Sequence, residues 1–81
     1  MEIIFSRHAK RRMQLFKLEE NDVMETINSY RMDRIVQSGK HEVINRTLSE
    51  KYGYPLKVVF YQESDKIFVI TAYPLRKERQ K

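Results

Sequence analysis

The chemistry open to this chain rests on cations, hydroxyls, phenols and two imidazoles. Its 81 residues include 16 Lys/Arg, 5 Tyr, two histidines (His8 and His41) and no cysteine. A thiol nucleophile is excluded, and two histidines without His/Asp spacing make no metal-ligand set. With only two glycines, no Gly-rich loop is available to cradle phosphates. The carboxylates cluster at 19–22, where they read as helix capping rather than as an acid/base pair. The groups that remain suit RNA cleavage, in which the ribose 2′-hydroxyl attacks its own phosphate. Neither a metal nor a protein nucleophile is needed. The protein must accept one proton, donate another and stabilise a charge-rich phosphorane. Histidine titrates near ~6.5 and fits the proton steps. Arg and Lys fit the charge, and Tyr can donate a proton or stack on a base.

Four places could supply those groups. His8 falls in the first turn of a predicted helix among several cations, which favour its neutral, proton-accepting form. Arg12 lies four residues on, on the same shoulder of that helix. The alternative is that His8 packs half-buried and Arg12 pairs with an acid of the second helix. Thr71 and Tyr73 share one strand face by period two, together with Leu56 and Val58. Because Phe60 and Val69 also fall there, that face reads as core, which counts against Thr71; both residues are also good strand formers. Arg46 and Lys57 fall within predicted strands, either lining a phosphate groove or facing solvent. Lys51, Tyr52 and Tyr54 make an aromatic, basic loop that could stack on a base, and His41 reads as a surface residue.

The elements that must position these residues follow from hydrophobic period. Residues 2–5 read as a first strand, and Ser6 as a helix N-cap. A helix over 7–16 buries Ala9, Met13 and Phe16 at i, i+4, i+7. A second starts near Glu19, where Leu18 and Val23 form a hydrophobic staple and Glu19, Glu20 and Asp22 complement the helix dipole. It buries Val23, Ile27 and Tyr30. Residues 34–37 and 40–47 read as a hairpin about Ser38-Gly39, and 49–54 as a polar loop. Residues 56–62 and 66–73 read as the clearest strands, joined through Glu63-Ser64-Asp65. Because 67–72 is apolar on both faces, that strand is expected inside the sheet. The expected order is β-α-α-β-β-β-β, an α+β domain with two N-terminal helices packed on an antiparallel sheet.

The whole is expected to be one domain, residues 1–75, with a basic tail at 76–81. Charge is uneven: residues 1–17 carry net +4, 18–33 net −4 and 34–81 net +5, for +5 in all. A basic surface beside an acidic one suits a polyanion. No apolar run approaches the ~18 residues of a spanning helix. The first residues are too short and too acidic for a signal peptide, so a cytoplasmic location is expected, with no membrane partner and no cofactor.

The stretch Ser6-x-His8-Ala9-x-x-Arg12-Met13 resembles the first helix of a bacterial and archaeal family of short domains of unknown function. The acidic helix start Leu18-Glu19-Glu20-Asn21-Asp22-Val23 and the last strand Val69-Ile70-Thr71-Ala72-Tyr73 extend the likeness from about Ile4 to Pro74. That family is similar to the RelE/ParE-like toxin superfamily and the wider barnase–EndoU–colicin–RelE nuclease fold. The resemblance implies a RelE-like fold and a metal-independent endoribonuclease, the toxin of a toxin–antitoxin pair. Its partners would be RNA, ribosome-associated in some relatives, and a small antitoxin protein. It implies a catalytic set of His8, Thr71 and Tyr73, with Arg12, Arg46 and Lys57 binding substrate. The chain departs from RelE-type toxins in having no Arg on its last strand, since Arg76 lies beyond it. Relatives of the ParE kind keep the fold and act on gyrase. A non-catalytic nucleic-acid-binding module is the other alternative.

Overall fold

A computed structural model describes residues 2–32 and 34–76. The chain begins with β1 (Glu2–Phe5) and turns at Ser6 into α1 (Arg7–Phe16). The turn is secured where the Ser6 hydroxyl accepts from the Ala9 amide at 3.0 Å, as an N-cap should. It also donates to the Ile70 carbonyl at 3.0 Å, tying the start of α1 to the last strand. Lys17 ends α1 in the left-handed region (φ 56), and the Leu18 amide closes back on the Met13 carbonyl. Next comes α2 (Glu20–Met32), with Glu20 and Asp22 in its first turn.

The chain then enters β2 (Gly39–Asn45), a one-turn 3-10 helix (Arg46–Leu48) and the short α3 (Ser49–Tyr52). The hairpin β3 (Leu56–Glu63) and β4 (Lys66–Pro74) completes the described elements. The succession of a strand, two helices and then strands is the one expected. Residues 34–37, however, form no strand, so the sheet has four strands rather than five. That segment has one half-buried apolar residue, Val36, while Ile35 is 94% exposed. With no apolar face to bury, it has nothing to hold it against the sheet. The segment read as a polar loop contains α3, closed by Gly53 at φ 82.

Strand order is β1-β4-β3-β2, with β1 parallel to β4 and the other pairs antiparallel. The sheet is therefore mixed, not purely antiparallel. A strand leading directly into a helix layer has its partner delivered by a crossover, and a crossover permits parallel pairing. The doubly apolar β4 lies between β1 and β3, the inner position its sequence predicts.

Both helices cover one sheet face. Ala9, Met13, Leu18, Val23 and Ile27 meet Leu56, Val58, Phe60, Ile67, Val69 and Ala72 in a single core. Phe16 and Tyr30 pack at its margin. No helix among the described residues is long and apolar enough to cross a membrane.

Asp22 fastens the start of α2 to α3. It accepts hydrogen bonds from Lys51 Nζ at 2.8 Å and from the Tyr52 hydroxyl. Tyr52 in turn accepts from the Glu19 amide at 3.1 Å, so the basic, aromatic loop is engaged inside the fold. The Lys51 and Tyr52 bonds hold the Asp22 carboxyl below the ordinary carboxylate range, outweighing its partial burial. A carboxyl with a folded pKa below its unfolded value stabilises fully above the unfolded value, about 3.9, and loses that contribution as pH falls through the folded one. Asp22→Asn is therefore expected to lower stability by about 1–2 kcal/mol at pH 7. In urea melts the gap to wild type should narrow at pH 3; a constant gap would mean the ionised carboxylate is not what matters.

Candidate active site on the open sheet face

The face of the sheet turned away from the helices gathers four of the six residues singled out from sequence. A bulge in β4 decides this. Pairing runs Val59↔Thr71 and then Phe60↔Val69, leaving Ile70 as the extra residue. An extra residue reverses the alternation that follows it. Ile67 and Val69 before the bulge are buried in the core, as are Ala72 and Pro74 after it. Thr71 and Tyr73 consequently point to the open face with Lys57 and Val59, not to the core face with Leu56, Val58 and Val69. The objection to Thr71 drawn from strict period two is overturned.

On that face Tyr73 is the hub. Beyond Phe5 the chain leaves β1 for α1, so the end of β4 has no strand beside it and α1 passes there instead. From α1 the Arg12 guanidinium reaches round to stand 5.5 Å from the Tyr73 ring centroid, a cation–π contact. Arg12 thus meets a strand tyrosine, not an acid of α2. From the other side comes Lys57, the cross-strand neighbour of Tyr73. Lys57 Nζ also meets Glu42 Oε1 at 3.0 Å. The Glu42 bond raises the Lys57 pKa most; burial opposes it, and the Tyr73 phenol adds to it through charge and a hydrogen bond. Lys57 is therefore a fixed cation at neutral pH. By the same bond Glu42 is held below the ordinary range, with Lys40 adding to the effect.

Thr71, two residues before Tyr73, has a buried Oγ1 without a hydrogen-bond partner among the described residues. A hydroxyl left so costs about 1–3 kcal/mol. His8 lies one helical turn before Arg12 on α1, exposed, its ring making no hydrogen bond among the described residues. It is beside the cluster and not yet part of it.

Arg46 is placed elsewhere. It lies in the 3-10 turn after β2, not in a strand. There it lines a groove of about 540 Å³ along the β2 edge, with Thr26, Tyr30, Arg34 and Asn45. Strand spacing separates that edge from β4 by roughly 10 Å. His41, read as a surface residue, is half-buried; its ring stacks on Phe60 at 5.4 Å and it bonds Gln37 O at 2.7 Å through Nε2. Arg76, assigned to the tail, stands over the Phe16 and Tyr54 rings at 5.3 and 5.5 Å; residues 77–81 lie outside the described residues. Glu42 was missed, because in sequence it is one acid in an alternating strand. Only the register brings it beside Lys57.

The arrangement places two cations, Arg12 and Lys57, beside the Tyr73 phenol, with the Thr71 hydroxyl buried two residues earlier on β4. The model of a protein family described as a domain of unknown function (DUF4258) matches residues 5–74. The chain belongs to the DUF4258 family. No curated protein and no solved structure matches it. The DUF4258 match spans the cluster, from Arg12 in α1 to Tyr73 in β4, and His8 beside it.

Proposed function

We propose that this DUF4258 domain is a metal-independent endoribonuclease whose centre is the Arg12–Tyr73–Lys57 cluster. What carries the reading is that two cations flank a phenol on an uncovered sheet face. The 2′-hydroxyl oxygen attacks the adjacent phosphorus while His8 takes its proton. The bond to the 5′-oxygen breaks, and Tyr73 gives that oxygen a proton. The products are a 2′,3′-cyclic phosphate and a 5′-hydroxyl, and His8 returns its proton to the phenolate through water. Arg12 and Lys57 stabilise the phosphorane, with Glu42 positioning Lys57 until a phosphate competes for it. The Thr71 hydroxyl donates to a non-bridging oxygen. Arg46, at the sheet edge, contacts a flanking phosphate. Such a toxin would be held inactive by a small antitoxin protein covering this face.

A non-catalytic nucleic-acid-binding role is the second reading, favoured by the exposed, unengaged ring of His8. One experiment separates the two. Purified protein is incubated with RNA in excess EDTA, and the ends of any fragments are analysed. Cyclic phosphate ends that fall about 100-fold in His8→Ala support the nuclease. RNA that is bound but left whole rejects it in favour of binding alone.

A further inference from the structure

The open face is more apolar and aromatic than a solvated sheet face should be. Antiparallel sheets with one wet side alternate apolar inward and polar outward. Here the outward positions of the two inner strands include Tyr61, Phe68 and a buried Val59, with Ile4 and Ile44 on the flanking strands. Tyr61 is 42% exposed, Ile44 40% and the bulged Ile70 38%. Tyr61 and Phe68 are direct cross-strand partners, so their side chains stand together in the middle of the face.

Charge around these rings is ordered. At the hairpin end Lys66 stands between Glu2 and Glu63 across the strands, and that end carries net negative charge. Lys40 adjoins Tyr61 on β2, and Arg12 and Lys57 lie at the opposite end of β4 and β3. Tyr61 is four residues from Lys57, about 13 Å along the strand. On the helix side of the molecule, away from this face, α1 exposes Arg7, Lys10 and Arg11 toward the start of α2.

We infer that this face is a stacking platform for single-stranded nucleic acid, with bases on Tyr61 and Phe68 and the backbone running to the Arg12–Lys57 end. The inference rests on the nucleic-acid reading of the same face and names its substrate class. Aromatics on the inner strands of a four-stranded sheet are a known way of holding two or three unpaired bases. A duplex hides its base faces and would meet only the cations. An apolar protein partner fits less well, because Lys40 adjoins Tyr61 and Lys57 stands beside Tyr73 on the same face, and lysine is depleted from interface cores.

The test is fluorescence anisotropy with a labelled 2′-O-methyl RNA octamer, alone and annealed to its complement. This probe has no 2′-hydroxyl and cannot be cleaved by in-line attack. Tighter binding of the single strand than of the duplex is expected. Tyr61→Ala should weaken single-strand binding about tenfold, within the range for loss of one base–aromatic stack. Tyr61→Phe should bind as wild type, and matching thermal melts guard against misfolding. Equal binding of strand and duplex, or no effect of Tyr61→Ala, overturns the platform. So does self-association by sedimentation that Tyr61→Ala abolishes while octamer binding persists. Octamer binding without cleavage of ordinary RNA supports the platform and removes the nuclease. Cleavage by Tyr61→Ala with unchanged kcat and KM removes the platform and leaves the nuclease.

Discussion

Tyr73→Phe is expected to leave the fold untouched and to slow RNA cleavage by about 100-fold or more. The substitution removes one oxygen from a half-buried side chain at the strand end, where the ring is held by Arg12 and the backbone by pairing with Lys57. The cation–π contact survives, since phenylalanine keeps the aromatic face. What is lost is a proton donor, and a positioned acid contributes typically 10²–10⁴-fold. On the proposed mechanism the loss should fall on kcat, with KM little changed, because Arg12 and Lys57 would still hold the phosphate. Arg12→Ala is the contrast, removing a phosphate contact and raising KM as well. Single-turnover cleavage at saturating protein makes the comparison. A Tyr73→Phe protein that cleaves at the wild-type rate would remove the phenol from the chemistry and leave it a stacking or packing role.

The largest effect on stability is expected at Phe60. Its ring is fully buried at the centre of β3, edge-on to Tyr30 with centroids 6.0 Å apart and stacked on His41 at 5.4 Å. Truncation to alanine removes the largest fully buried side chain and leaves a cavity under α2. Such changes cost about 3–5 kcal/mol. A domain of this size has only about 4–12 kcal/mol of stability. Thermal melting followed by circular dichroism should therefore fall by roughly 15–30 °C, or lose its cooperative transition. The neighbouring Tyr61→Ala, on the open face, should melt within a few degrees of wild type. A Phe60→Ala protein as stable as that neighbour would place the core on the wrong side of β3.

Much of the local structure is written in short-range pattern. Ser6 and the period of Ala9, Met13 and Phe16 define α1 with its observed boundaries. Val23 and Ile27 mark the buried side of α2, and the β-branched and aromatic runs mark β3 and β4. These readings hold because helix and strand periods are properties of ten or so neighbouring residues. The type of connection is less legible. Residues 34–37 have enough strand formers to suggest a hairpin, yet whether an extended segment pairs depends on what lies beside it.

The open sheet face shows the same division more sharply. The residue types at His8, Arg12, Lys57, Thr71 and Tyr73 are ones that can transfer a proton or stabilise an anion. Their association is a tertiary matter. A bulge inserts one residue without altering composition, and its position depends on the register of β4 against β3. That single insertion at Ile70 turns Thr71 and Tyr73 from the core to the open face. Glu42 joins Lys57, 15 residues further on, only through the pairing of β2 with β3, which no local window contains. Arg12 meets Tyr73 only because β1 stops at Phe5 and leaves the end of β4 open to α1. Local pattern was enough for α1, α2, β3 and β4, for most of the core and for the kinds of group available. The tertiary structure decided which of those groups share a face, because strand register and the end of β1 are set by packing across the sheet and not by neighbours in the chain.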